Sequence, residues 1–186
     1  MAVTGSLAGK LLVASPALID PNFWRTVVLI VAHSEDDGAV GTILNRPLDV
    51  AAAEFVEPWS SYLAVPAAVY SGGPVQRAVA IGLAYRPETP PADGWEPVLD
   101  GIGFIDVGTD PEDVPNVEQA RVFSGYAGWT RGQLEMEVDI GSWFVVEATY
   151  DDAFGSEPEG LWRTVLRRQR DRVAFFADFP ADPRAN

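Results

Sequence analysis

Apolar residues fall into short runs punctuated by Gly, Pro and Asp, a spacing that predicts a strand-rich α+β domain. The expected strands are Lys10 to Ala14, Thr26 to Ala32, Ala39 to Leu44, Ala67 to Tyr70, Ala78 to Tyr85, Gly103 to Asp106, Arg121 to Ser124 and Trp143 to Thr149. Thr26 to Val31 is a nearly unbroken β-branched and aliphatic run, which fits a central strand covered on both faces.

Helical signals are fewer. Asp20 followed by Pro21 supplies a capping oxygen and a preset first-turn φ, so a short turn is expected over Asp20 to Trp24. Thr130 and Gln133 have capping-box spacing, and Gly141 stands where a left-handed stop is useful, which predicts a helix over Arg131 to Asp139. Trp162, Val165, Leu166 and Gln169 fall on one face of an amphipathic helix from about Pro158 to Arg170, opposite a mostly arginine face.

Composition narrows the chemistry. The 186 residues suit one domain, without an internal repeat or a dividing linker, and 47% of them are hydrophobic, which supports a real core. Against 13 basic side chains stand 27 acidic ones, a net charge of -14, so the mean field opposes direct nucleic-acid binding. With no cysteine, disulfides, thiolate metal sites and a cysteine nucleophile are excluded, and a lone His33 excludes two-histidine metal motifs. No export signal and no apolar membrane helix are legible, because the longest uncharged stretch, Pro58 to Gln76, carries Pro58, Pro66 and Pro74. The reading is a cytoplasmic chain. Between Arg86 and Arg121 nine acids, among them Glu88 and Asp93, occur without a base, in a proline-rich stretch expected to be largely loop.

Three expected strands run directly into polar Gly- and Pro-rich motifs: Asn45-Arg46-Pro47, Ser71-Gly72-Gly73-Pro74, and Ser124-Gly125-Tyr126-Ala127-Gly128-Trp129. Glycines permit positive φ and close approach, and consecutive amides in such turns can cradle an anion. If the three ends cluster, they form a pocket. Arg46 is then its cation, Asn45 a paired donor and acceptor, the Gly72, Gly73 and Gly125 amides the donors, and Tyr126 and Trp129 a flat wall, with Pro47, Pro74 and Gly128 counted in the same site. The competing reading is that these are ordinary turns whose aromatic residues fill a core.

These residues resemble the YqgE/AlgH family of bacterial proteins. The similarity is carried by Gly9 to Pro16, Asp20 to Phe23, Arg25 to Val28, Gly38 to Pro47, Gly72 to Val75, and Ala120 to Trp129 followed by Gln133-Leu134-Glu135 and Glu137. The ending from Leu161-Trp162-Arg163 through Asp182-Pro183 to Asn186 is similar to an actinobacterial branch. The resemblance implies an α+β fold, a mixed, bifurcated sheet rolled into a pseudo-barrel with a few flanking helices, and a family whose molecular activity is largely unassigned. Arg170-Asp171-Arg172 stands where many relatives have a glycine, and Ser15 where methionine is common.

The remaining chemistry is thin. Ser71 and Ser124 lack the nucleophile-elbow pattern, and only His33 could serve either as base. His33 itself reads as a strand-end residue. Glu135, Glu137 and Asp139 suggest a solvated acidic face before they suggest a metal site, and Glu135 is expected to partner an arginine or to join the ligand site. No catalytic residue, metal or cofactor is assigned. The five arginines from Arg163 to Arg172 are expected to neutralise acids within the molecule. The leading functional expectation is a regulatory module that binds a small anionic or polar ligand, or a protein segment, at the three-turn pocket. The alternatives are an enzyme acting on an activated acyl or phosphoryl compound, with Arg46 and Glu135 in the chemistry, and a transcription-associated regulator without autonomous DNA binding.

Overall fold

The computed structural model describes residues 5–87 and 94–180; Glu88, Asp93 and the Asp182 to Asn186 ending lie outside them. The described strands are β1 (Lys10–Ala14), β2 (Val27–Ser34), β3 (Gly38–Ile43), β4 (Pro47–Ala51), β5 (Ala68–Ser71), β6 (Val75–Tyr85), β7 (Trp95–Leu99), β8 (Ile102–Ile105), β9 (Gln119–Trp129) and β10 (Trp143–Glu147). The helices are α1 (Gln133–Asp139), α2 (Tyr150–Phe154) and α3 (Leu161–Arg167). The sheet runs β10-β1-β2-β3-β9-β6-β8-β7, with β4 and β5 forming a side branch.

The branch starts on β9. Along one edge, Val122 to Ser124 pair in parallel with β5 over Val69 to Ser71, whereas Ala127 to Trp129 pair antiparallel with β3 over Gly41 to Ala39. Its other edge is held by β6. A curled, mixed sheet that forks on one strand is the α+β architecture expected.

Alternation of side chains explains why both faces need cover. Leu11, Val13, Val27 and Leu29 project into one buried cluster with Trp162, Val165 and Leu166 of α3, while Leu12, Ala14, Val28 and Ile30 enter another with Trp129, Leu134 and Trp143. A third cluster packs Val56 and Trp59, from the 3-10 turns after β4, against Ala84, Ile105 and Val122.

Several boundaries differ from the sequence reading. The strand expected to end at Ser124 continues to Trp129, because Gly125 takes φ 70° and kinks the chain without ending its pairing. β4 and α2 were unexpected, and β7 lies in the segment expected to be loop. Pro97 obscures β7, and a proline is tolerated there because β7 is the last strand of the sheet. The long C-terminal helix is shorter than expected: a 3-10 turn over Pro158–Gly160 leads into α3, and Asp171 caps a new 3-10 turn over Arg172–Asp178. α1 begins at Gln133, and Gly141 takes φ 81°, the left-handed stop its position suggested.

Candidate functional site

The three motifs meet, and they meet backbone against backbone. Ser71 N donates to Arg46 O, Ile43 N to Gly72 O, and Gly72 N to Ser124 O, each at 2.9 Å. A Cβ on Gly72 would lie 2.3 Å from Gly125 O, and one on Gly73 would lie 2.2 Å from Tyr126 C. Gly72, Gly73 and Gly125 are buried at this crossing, so the close approach their lack of side chains allows is taken up by the chain itself. Tyr126 pairs with Val75 in the ladder, Pro74 is half-buried and Gly128 is exposed.

Asn45 and Arg46 act on the Asp20–Thr26 loop. Asn45 Oδ1 accepts from Val27 N and its Nδ2 donates to Arg25 O, both at 2.9 Å. The Arg46 guanidinium donates to Pro21 O at 3.1 Å and Trp24 O at 3.0 Å, in place of the free cation expected of it. Partial burial lowers its pKa, with Asp20 opposing. The clamp holds Arg25 at φ 53°, with its guanidinium 5.1 Å from the Trp24 ring centre and 4.6 Å from that of Trp162.

Trp129 is interior, not a surface wall. It is 5% exposed, and its Nε1 shares Glu137 Oε2 with Trp143 Nε1, at 2.9 and 2.8 Å. Glu135 partners the histidine and not an arginine: His33 Nε2 lies 2.8 Å from Glu135 Oε1, while His33 Nδ1 accepts from Leu7 N at 2.9 Å. That second bond fixes the tautomer, with Nε2–H donating to the carboxylate. The pKa of Glu135 is lowered, first by a hydrogen bond from its own backbone amide and then by His33. Among the described residues no His, Asp and Glu cluster of three or more could hold a metal ion. Of the final arginines, Arg168 pairs with Asp152 of a preceding segment and Arg167 with Asp178, which follows the helix.

A buried polar pair escaped the sequence reading. Arg121, 2% exposed, donates through Nη1 to Ala153 O at 2.7 Å and through Nη2 to Val65 O and Gly155 O, both at 3.1 Å. Its charge rests on carbonyls at the C-terminal end of α2 and over the Tyr70 ring, 4.6 Å from its centre. Burial raises the pKa of Tyr70 and Glu159 adds to that, while Arg121 counters it. An arginine inside an alternating strand signals burial only once β9 is known to be central.

Open space lies beside the crossing. One cleft, about 810 Å³, is lined by Pro47, Leu48, Asp49, Pro66, Ala68 and Ser156 to Gly160. Across β4 a second, about 330 Å³, is lined by Leu48, Val50, Phe55, Val69, Arg77 to Ala80 and Val122 to Ser124. Leu48 borders both. Pro47 of the first motif and Ser124 of the third therefore reach the clefts, and Gly72, Gly73, Gly125 and Gly128 are not among the residues that line them.

This forked sheet, with its loop clamp and glycine crossing, belongs to a known class. A family model described as AlgH-like matches residues 11–174, and the chain belongs to that family. It is 43% identical to a UPF0301 protein of Thermobifida fusca over 97% of this chain and 96% of that one, and 45% identical to one of Streptomyces coelicolor over 100% and 98%. Its fold is similar to the crystal structure of protein DIP2367 from Corynebacterium diphtheriae, with TM-score 0.87 and 31% identity over 96% and 95% of the two chains. The solution structure of AlgH from Pseudomonas aeruginosa gives TM-score 0.69 and 27% identity, covering 98% and 100%. No helix among the described residues is long and apolar enough to cross a membrane.

Proposed function

We propose that this chain is a binding module whose ligand is a protein segment, held in the groove across the β4-β5-β9-β6 branch. One observation carries the reading: Leu48, Val50, Phe55 and Val79 are exposed around a floor that includes Val69 and Val122. Apolar side chains gathered in a concave stretch of surface gain by leaving water together, which scattered ones do not. Phe55 is 69% exposed, so most of its ring has no partner within the chain.

The three motifs support this groove from behind. The glycine crossing fixes where β5 leaves β9, and Pro47 starts β4 at its border. Contact with the ligand falls to Pro47 and Ser124 among the expected site residues, and the others position the strands. The test is a titration of short blocked peptides of alternating serine and valine, followed by backbone amide shifts. The expected shifts cluster at Leu48 to Phe55, Arg77 to Ala80 and Val122 to Ser124, and Val79→Asp abolishes them. Shifts confined to other surfaces would overturn the reading.

A further inference from the structure

The groove carries a pattern that specifies its occupant. β4 pairs only with β5, so among the described residues its outer edge has no strand partner. Pairing is irregular between Pro47 and Ala51, and Leu48 to Ala51 are exposed. An exposed edge strand offers unpaired amides and carbonyls that a further strand can bond.

Side chains on this edge alternate in chemistry as well as direction. Leu48 and Val50 border the apolar cleft, while Asp49 lines the neighbouring one with Glu157 and Glu159. None of these three acids enters an ion pair among the described residues. Among the described residues no basic side chain lines that cleft. Arg121 lies beneath it, but its guanidinium is held by the Val65, Ala153 and Gly155 carbonyls. Among the described residues the one cation bordering either cleft is Arg77, which lines the apolar one.

We propose that the occupant is a basic, extended protein segment that adds to β4 as a strand, alternating apolar residues over Leu48 and Val50 with cationic ones toward Asp49, Glu157 and Glu159. This rests on the groove reading above and deepens it. A strand presents successive side chains to opposite faces, so a basic-apolar alternation is what matches both clefts at once. A second copy of the chain is the poorer occupant, because it would set Asp49 against the same acids on a partner of equal net charge, -14.

Three blocked peptides of equal length separate the claims: alternating lysine-valine, serine-valine and glutamate-valine, each titrated into the full chain with amide shifts and affinity read together. The lysine-valine peptide is expected to bind most tightly, with shifts over Leu48 to Ala51, and to weaken as salt rises from about 0.02 M to about 0.2 M. Methylation of the valine amides in one version of it and of the lysine amides in another removes the ladder donors of each edge in turn, and one of the two is expected to abolish binding. Asp49→Asn with Glu159→Gln is expected to lower lysine-valine affinity by about threefold to tenfold, to flatten its salt dependence, and to lower serine-valine affinity less.

Equal affinity for the lysine and serine peptides overturns the charge claim and leaves the groove reading standing. Undiminished binding of both N-methylated peptides overturns strand addition. Absence of groove shifts with all three peptides overturns the groove reading itself, and concentration-dependent self-association that Val50→Asp removes assigns the edge to a second copy and overturns this proposal.

Discussion

Gly72 and Gly125 lie so close that a methyl group on Gly72 would come within 2.3 Å of the Gly125 carbonyl oxygen. Ordinary packing leaves no route around such a contact, since the obstructing atom is backbone held in the β5-β9 and β6-β9 ladders. Gly72→Ala is therefore expected to destabilise the chain by about 3 kcal/mol or more, or to prevent folding. Gly132, at φ 74° with nothing within 4 Å of its Cβ position, provides the contrast. Its alanine variant carries only the left-handed backbone cost, about 1 kcal/mol. Urea unfolding of the two variants measures the difference, and equal losses would show that the crossing yields.

Asn45 predicts a chemically asymmetric series. Its side chain accepts from Val27 N and donates to Arg25 O, so Asn45→Ala leaves one donor and one acceptor short of partners. The expected loss is about 2 kcal/mol. Asn45→Asp keeps the acceptor but turns a carboxylate oxygen toward the Arg25 carbonyl, and is expected to be no better than alanine at neutral pH. Denaturant midpoints of the three proteins provide the check; an aspartate variant as stable as the parent would mean that the Arg25 bond contributes nothing.

Much of the sheet was legible because β1, β2 and β3 are short apolar runs bounded by Gly, Pro and Asp, and because the nearly unbroken run Thr26 to Val31 fits a strand covered on both faces. The fork was not. Ser124 to Trp129 carries two glycines and reads as a turn, and only its pairing with Val75 and with β3 shows that the strand runs on. The same blindness affected the site. That Asn45, Gly72 and Gly125 share a neighbourhood could be guessed from their punctuation, but whether glycines leave a hollow or fill it depends on what approaches them. Phe55 and Val79 gave no signal, because an exposed apolar residue looks the same in sequence as a buried one.

Arg121 offers a test of a buried cation without a carboxylate partner. Arg121→Met removes the donors to Val65, Ala153 and Gly155 and leaves three carbonyls short of a partner, two of them at the end of α2. A loss of about 3 kcal/mol is expected. Arg121→Lys keeps the charge but not the planar fork, and is expected to fall between the two. Chemical denaturation ranks the three, and a methionine variant more stable than the parent would show that the cost of burying the charge exceeds the gain from its carbonyl bonds.

The His33–Glu135 contact makes a prediction about acid. The folded chain holds the Glu135 carboxyl below its ordinary value, through its own backbone amide and the His33 ring. A group lowered in this way contributes its full stabilisation above the unfolded carboxylate range, and that contribution is lost as pH falls toward and through the folded value. Glu135→Gln retains an oxygen for His33 Nε2 but cannot ionise. The stability difference between parent and variant is therefore expected to be largest and flat above about pH 5.5, and to shrink steadily below about pH 4.5. Urea unfolding across that range measures it directly. A difference that stays constant down to acid would mean that the bond does not depend on the carboxylate charge, leaving His33 and Glu135 as a neutral contact between β2 and α1.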